Sequence, residues 1–98
     1  MKSFKEIIRE ARINQGLILR EVSASIGIDQ TIINKYELGE RKPTKDQVIK
    51  LANVYSLNVD ELIIAWKSDI LSYELQDDEL AERILKVAED KVKYYKNK

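Results

Sequence analysis

The sequence predicts an all-α fold of six helices, and three observations carry that prediction. Apolar residues recur at three- and four-residue spacing from Phe4 to Tyr95, with no strand-like alternation. Helix-start signatures precede four of the stretches, at Ser3, Asp29, Thr44 and Asn58. The chain's 3 glycines, Gly16, Gly27 and Gly39, each follow a helical stretch, where a left-handed residue closes the last turn.

Ser3-Phe4-Lys5-Glu6 is a capping box, and Phe4, Ile7, Ile8 and Ala11 behind it form one apolar stripe that stops at Asn14-Gln15-Gly16. After Leu17 a second helix carries Leu19, Val22, Ser23 and Ile26. Gly27-Ile28-Asp29 breaks it, and Asp29 is a suitable N-cap for a third helix over about Gln30 to Leu38, which buries Ile33 and Tyr36. Thr44-Lys45-Asp46-Gln47 opens a fourth helix with Val48, Leu51, Ala52 and Tyr55 inward. Asn58 starts a fifth, where Leu62, Ile63, Trp66, Ile70 and Tyr73 keep helical spacing past residue 70. Gln76-Asp77-Asp78 interrupts, and Leu80, Ile84, Ala88, Val92 and Tyr95 mark a sixth.

Composition narrows the function. The 98 residues suit one domain with at most an accessory element, and 44% hydrophobic content supports a packed core. Neither cysteine nor histidine is present, which removes disulfides, thiol chemistry, the commonest general base and the commonest zinc ligands. No apolar run approaches the roughly 18 residues of a membrane span, and no signal-peptide pattern opens the chain. The expectation is a cytoplasmic, non-enzymatic protein with no cofactor, no metal and no membrane partner. Lys+Arg 17 against Asp+Glu 17 leaves no net charge. The cationic excess lies in residues 1–67 and the anionic excess in residues 68–98, which weakly favours a polyanion for the first part.

Two short helices separated only by Gly27-Ile28-Asp29 form a helix-turn-helix pattern. Small Ser23 lets the helices approach, Gly27 takes the positive φ angle of the turn, and Ile33 fills the space between them. The exposed side of the third helix then forms a ridge that fits a B-DNA major groove about 12 Å wide. Gln30 and Thr31 at its start and Lys35 one turn on share that side. Glutamine can bridge adenine N6 and N7, lysine can donate to guanine O6 or N7, and threonine can touch a thymine methyl.

The stretch from Ile8 to Ile63 resembles the Cro/repressor-type (XRE) helix-turn-helix family of bacterial and phage transcription regulators. The resemblance runs through Arg12, Gly16-Leu17, Arg20-Glu21-Val22-Ser23, Ile26-Gly27-Ile28, Ile33, Tyr36-Glu37, Gly39, Arg41-Lys42-Pro43 and Val59-Asp60-Glu61-Leu62. It implies a five-helix repressor-like DNA-binding domain over residues 1–67, acting as a dimer on a near-palindromic operator. It also implies a structural ion pair between Arg12 and Glu37. By family position Gln30, Thr31 and Lys35 face bases, and Asn34 lies nearer the DNA backbone.

Arg20, Arg41 and Lys42 flank the ridge and suit phosphate contacts, which set docking register without reading sequence. Ile32 has two readings, a thymine-methyl contact or packing on the neighbouring helix. Many relatives place a polar N-cap and a glutamine where this chain has Ile18-Leu19, and the missing cap costs about 1 kcal/mol.

Residues 68–98 form a helical extension too short for its own core. Either it folds back on its own domain or it pairs between subunits. The expected dimer interface is Trp66, Ile70, Tyr73, Leu80, Ile84 and Ala88. The extension is also similar to that of small controller regulators that accompany DNA methyltransferases. The resulting expectation is a sequence-specific regulator of double-stranded DNA, nucleoid-associated when bound. The competing one is a protein-interaction module, of antitoxin or anti-repressor type, that kept the fold and lost DNA affinity.

Overall fold

The computed structural model describes residues 1–97. Among them are six helices: α1 (Phe4–Asn14), α2 (Leu19–Ile26), α3 (Gln30–Leu38), α4 (Lys45–Val54), α5 (Val59–Leu75) and α6 (Ala81–Lys96). No strand occurs among the described residues, so the all-α expectation holds.

Each start follows from local chemistry. The Asp29 carboxylate accepts from Thr31 N at 2.8 Å, and Asn58 Oδ1 accepts from Glu61 N at 2.9 Å. Thr44 and Gln47 complete a reciprocal box: Thr44 Oγ1 accepts from Gln47 N, and Thr44 N donates to Gln47 Oε1. At α1 the box is altered, because the Ser3 hydroxyl donates to the Glu6 carboxylate at 2.8 Å while accepting from Glu6 N at 3.5 Å. The α1 amides find a distant acceptor as well, since Phe4 N donates to Asp69 Oδ2 of α5 at 2.7 Å.

Five helices close on one core. Phe4, Ile8 and Ala11 of α1 meet Val22 of α2, and Ile33 and Tyr36 of α3. Val48, Leu51 and Ala52 of α4, Tyr55 just after it and Leu62 of α5 complete the core, with Ile28 of the α2–α3 turn wedged among them. The helix-four stripe is therefore buried as its spacing predicts. Tyr36 ties α3 to α4 through its hydroxyl, which donates to Gln47 Oε1 at 2.8 Å. Gln15 Nε2 donates to Tyr55 O at 2.7 Å and joins the end of α1 to the end of α4.

α5 runs unbroken through residue 67, the expected domain boundary. Its early turns lie on the core through Leu62, Ile63 and Trp66, and its late turns reach back over the domain. There Asp69 caps α1, and the Lys42 ammonium sits 5.3 Å from the centre of the Tyr73 ring. α6 behaves differently. None of its residues is buried and none packs against the core, so the reading in which it folds back on its own domain is not the arrangement found.

Candidate nucleic-acid interface

Gly27 takes φ 72° and donates its N–H to Ser23 O at 2.9 Å, closing α2. A Cβ at Gly27 would meet no atom within 4 Å, so the backbone angle and not crowding calls for glycine. The turn sends α3 across α2 and α1, where Ile33 and Tyr36 are almost fully buried.

The third anchor is ionic. Arg12 Nε and Nη2 donate to the two Glu37 carboxylate oxygens at 2.8 and 2.9 Å, and Arg12 Nη1 donates to Leu17 O at 3.1 Å. The Glu37 side chain is 2% exposed and that of Arg12 16%. One guanidinium thereby ties α1, the α1–α2 loop and α3. The bidentate bond to Glu37 pushes the Arg12 guanidinium above its already high pKa. Tyr55, buried nearby, has its phenol pushed up to about 12 by burial first and by the Glu37 charge second.

These anchors use one side of α3. Gln30, Thr31, Asn34 and Lys35 are all exposed on the other. Gln30 and Asn34 form one i,i+4 row and Thr31 and Lys35 the next, so all four share a face. The structure brings together the residues expected to read bases. Ile32 is half-buried and packs against the core, as one of its two readings expects. Leu38, 54% exposed, extends the Gln30–Asn34 row. Its i+4 spacing was visible in the sequence, but it reads there only as the end of a helix.

The flanking cations are exposed, and Arg20, Lys35 and Arg41 make no ion pair among the described residues. Lys42 differs, because its ammonium rests on Tyr73. That contact is worth about 0.5–1 kcal/mol at an exposed site, small enough for a phosphate to displace. Ile18 stands at the N-cap of α2 with no side-chain acceptor, as expected. Its own N–H donates to Glu21 Oε1 at 3.0 Å, and Glu21 N is turned to Ile18 O. The first-turn amides of Leu19 and Arg20 are left to bind an anion.

A helix-turn-helix family model matches residues 8–62, more than half of the chain. The chain belongs to the XRE-type helix-turn-helix family. As a member it is a DNA-binding transcription regulator, and the matched span contains Arg12, Glu37 and the whole exposed face of α3. It is 32% identical over 84 residues to the cryptic phage CTXphi transcriptional repressor RstR of Vibrio cholerae, covering 82% of this chain and 70% of that protein. It is 30% identical over 56 residues to the HTH-type transcriptional regulator ImmR of Bacillus subtilis, covering 57% of this chain and 44% of that protein. No solved structure matches the regulator.

The expected dimer residues divide between two environments. Trp66 packs against the regulator's own core, with its indole N–H buried and without a hydrogen-bond partner. Ile70 is half-buried, while Tyr73, Leu80, Ile84 and Ala88 are exposed. Among the described residues no group of three or more Asp or Glu side chains is placed to hold a metal ion, and no helix is long and apolar enough to cross a membrane.

Proposed function

We propose that this regulator is a repressor that binds a near-palindromic operator as a homodimer, each subunit placing α3 in a major groove. The observation that carries the reading is the division of α3. Ile33, Tyr36 and Glu37 are buried on one side, and Gln30, Thr31, Asn34 and Lys35 stand free on the other. Gln30, Thr31 and Lys35 read base edges, and Asn34 contacts the backbone or an adjacent base. Arg20, Arg41 and Lys42 bind phosphates. The name of the Vibrio relative supports repression, and the unburied α6 supports assembly through the C-terminal extension. Residues 1–67 act as the DNA-binding unit and residues 68–98 as the pairing unit, in the cytoplasm and on the nucleoid when bound.

Selection of binding sites from random duplexes tests this. The expected product is a pair of inverted half-sites whose centres lie about 34 Å, or a multiple of one helical turn, apart. Enrichment of no sequence, with weak binding that ignores salt, would instead favour the protein-interaction module. Exposed Ile18 and Leu38 and the zero net charge are the features that reading would use.

A further inference from the structure

A dimer on an operator leaves open which surfaces pair. α6 has no buried residue, yet it is strongly two-sided. Ala81, Leu85, Ala88, Val92 and Tyr95 recur at spacings of four and three along one face, with Ile84 beside them. Leu85 is 47% exposed, Val92 52% and Tyr95 68%. The charged groups pair on the opposite face, Lys86 with Asp90 at 3.7 Å and Lys93 with Glu89 at 2.8 Å. A helix of this length with one bare apolar side gains its stability from a partner surface.

We infer that α6 packs antiparallel against α6 of a second copy, with the two-fold axis beside Ala88. Charge decides the direction. Residues 77–82 carry Asp77, Asp78, Glu79 and Glu82 and no cation, whereas residues 91–96 carry Lys91, Lys93 and Lys96 and no anion. Parallel packing would set acidic start against acidic start, basic end against basic end, and the two helix dipoles side by side. Antiparallel packing sets each acidic start beside the other copy's basic end and opposes the dipoles. Overlap decides the register. Pairing the whole of Ala81–Lys96 puts the axis at mid-helix, where the small side chain of Ala88 admits close backbone approach. Ala81 then faces the partner subunit's Tyr95, small against large, and Ile84 faces the partner subunit's Val92.

The inference rests on the dimer reading above but not on DNA binding, so the two can fail separately. The chain has no cysteine, and engineered cysteines are therefore unique. Full-length Ala81→Cys and Tyr95→Cys proteins, mixed in equal amounts and mildly oxidised without DNA, should form chiefly the mixed disulfide. Predominance of the Tyr95→Cys homodimer would overturn the antiparallel arrangement. Full-length Ile84→Glu should sediment as a monomer that keeps the wild-type unfolding transition of the α1–α5 core, because Ile84 is outside that core. Its affinity for a single half-site should stay at the wild-type value, while its affinity for the paired operator falls by about 10²-fold or more. An Ile84→Glu protein that remains a dimer, or a wild-type chain that sediments as a monomer without cross-links, would overturn the pairing. A cross-linked wild-type dimer with no affinity for any duplex would instead sink the DNA reading and leave the pairing standing.

Discussion

Glu37→Ala should be the most damaging single substitution on α3 that leaves its exposed face untouched. The carboxylate accepts two bonds from Arg12 at 2.8 and 2.9 Å in a site where it is 2% exposed. Removing it strands a guanidinium that stays charged at every usable pH even without Glu37, because an ordinary arginine does not deprotonate in a protein. Breaking a buried pair in this way costs about 3–5 kcal/mol, a large share of the roughly 5–15 kcal/mol that stabilises a domain. With a urea slope of about 1–3 kcal/mol/M, the unfolding midpoint should fall by roughly 2 M. Replacing both partners with apolar residues, Arg12→Met with Glu37→Leu, should cost less than Glu37→Ala alone, because no charge is left unpaired. Chemical unfolding of wild type, Arg12→Met, Glu37→Leu and the double variant measures the coupling, with Glu37→Ala unfolded beside them. A loss under about 1 kcal/mol for Glu37→Ala, with additive effects in the double variant, would refute the idea that this pair holds α3 in place.

Lys35→Ala should relax preference at one base pair of each half-site by about 1–3 kcal/mol, whereas Arg41→Ala should weaken all duplexes nearly equally and lower the salt dependence. Competition binding with single-base operator variants separates the two effects. Tyr55 makes no hydrogen bond through its buried hydroxyl, so Tyr55→Phe should be neutral or slightly stabilising near pH 7. The folded phenol titrates at about 12 against 10.0 for the free group, so its contribution is complete below pH 10 and disappears as pH rises through 12. That loss is about 2–3 kcal/mol, and stability from unfolding curves against pH should fall less in Tyr55→Phe than in wild type, the remainder including Tyr36, whose phenol is also pushed up by burial. Ile18→Ser should stabilise the domain by about 1 kcal/mol by capping α2. Its thermal midpoint checks this, given that Ile18 is 49% exposed and already extended at φ −96°.

The sequence showed most of this architecture where the chemistry is local. Caps at Asp29, Thr44 and Asn58 act within three residues of themselves, and the stripes of α1 and α4 report their own burial. The end of α4 was harder to read. Ser56 takes φ 54° there, a left-handed angle held by Leu57 N donating to Ala52 O at 2.8 Å, and no glycine marks it. Contacts between distant segments were invisible. Asp69 capping α1 and Lys42 resting on Tyr73 depend on the path of α5 over the domain, which periodicity cannot supply. Ile32 shows the same limit: that it packs against the core follows from how α3 sits on its neighbours, not from its place in the chain. The Arg12–Glu37 pair lay within reach only through family resemblance, because it spans 25 positions.

The exposed face of α3 is where the account is most directly tested, by amide NMR of the full chain titrated with its selected operator duplex. The account predicts that Gln30, Thr31, Asn34 and Lys35 move most, followed by Leu19, Arg20 and Arg41, while the core amides of α4 stay in place. Shifts confined to α6, or an α3 face that operator leaves untouched at saturation, would contradict it.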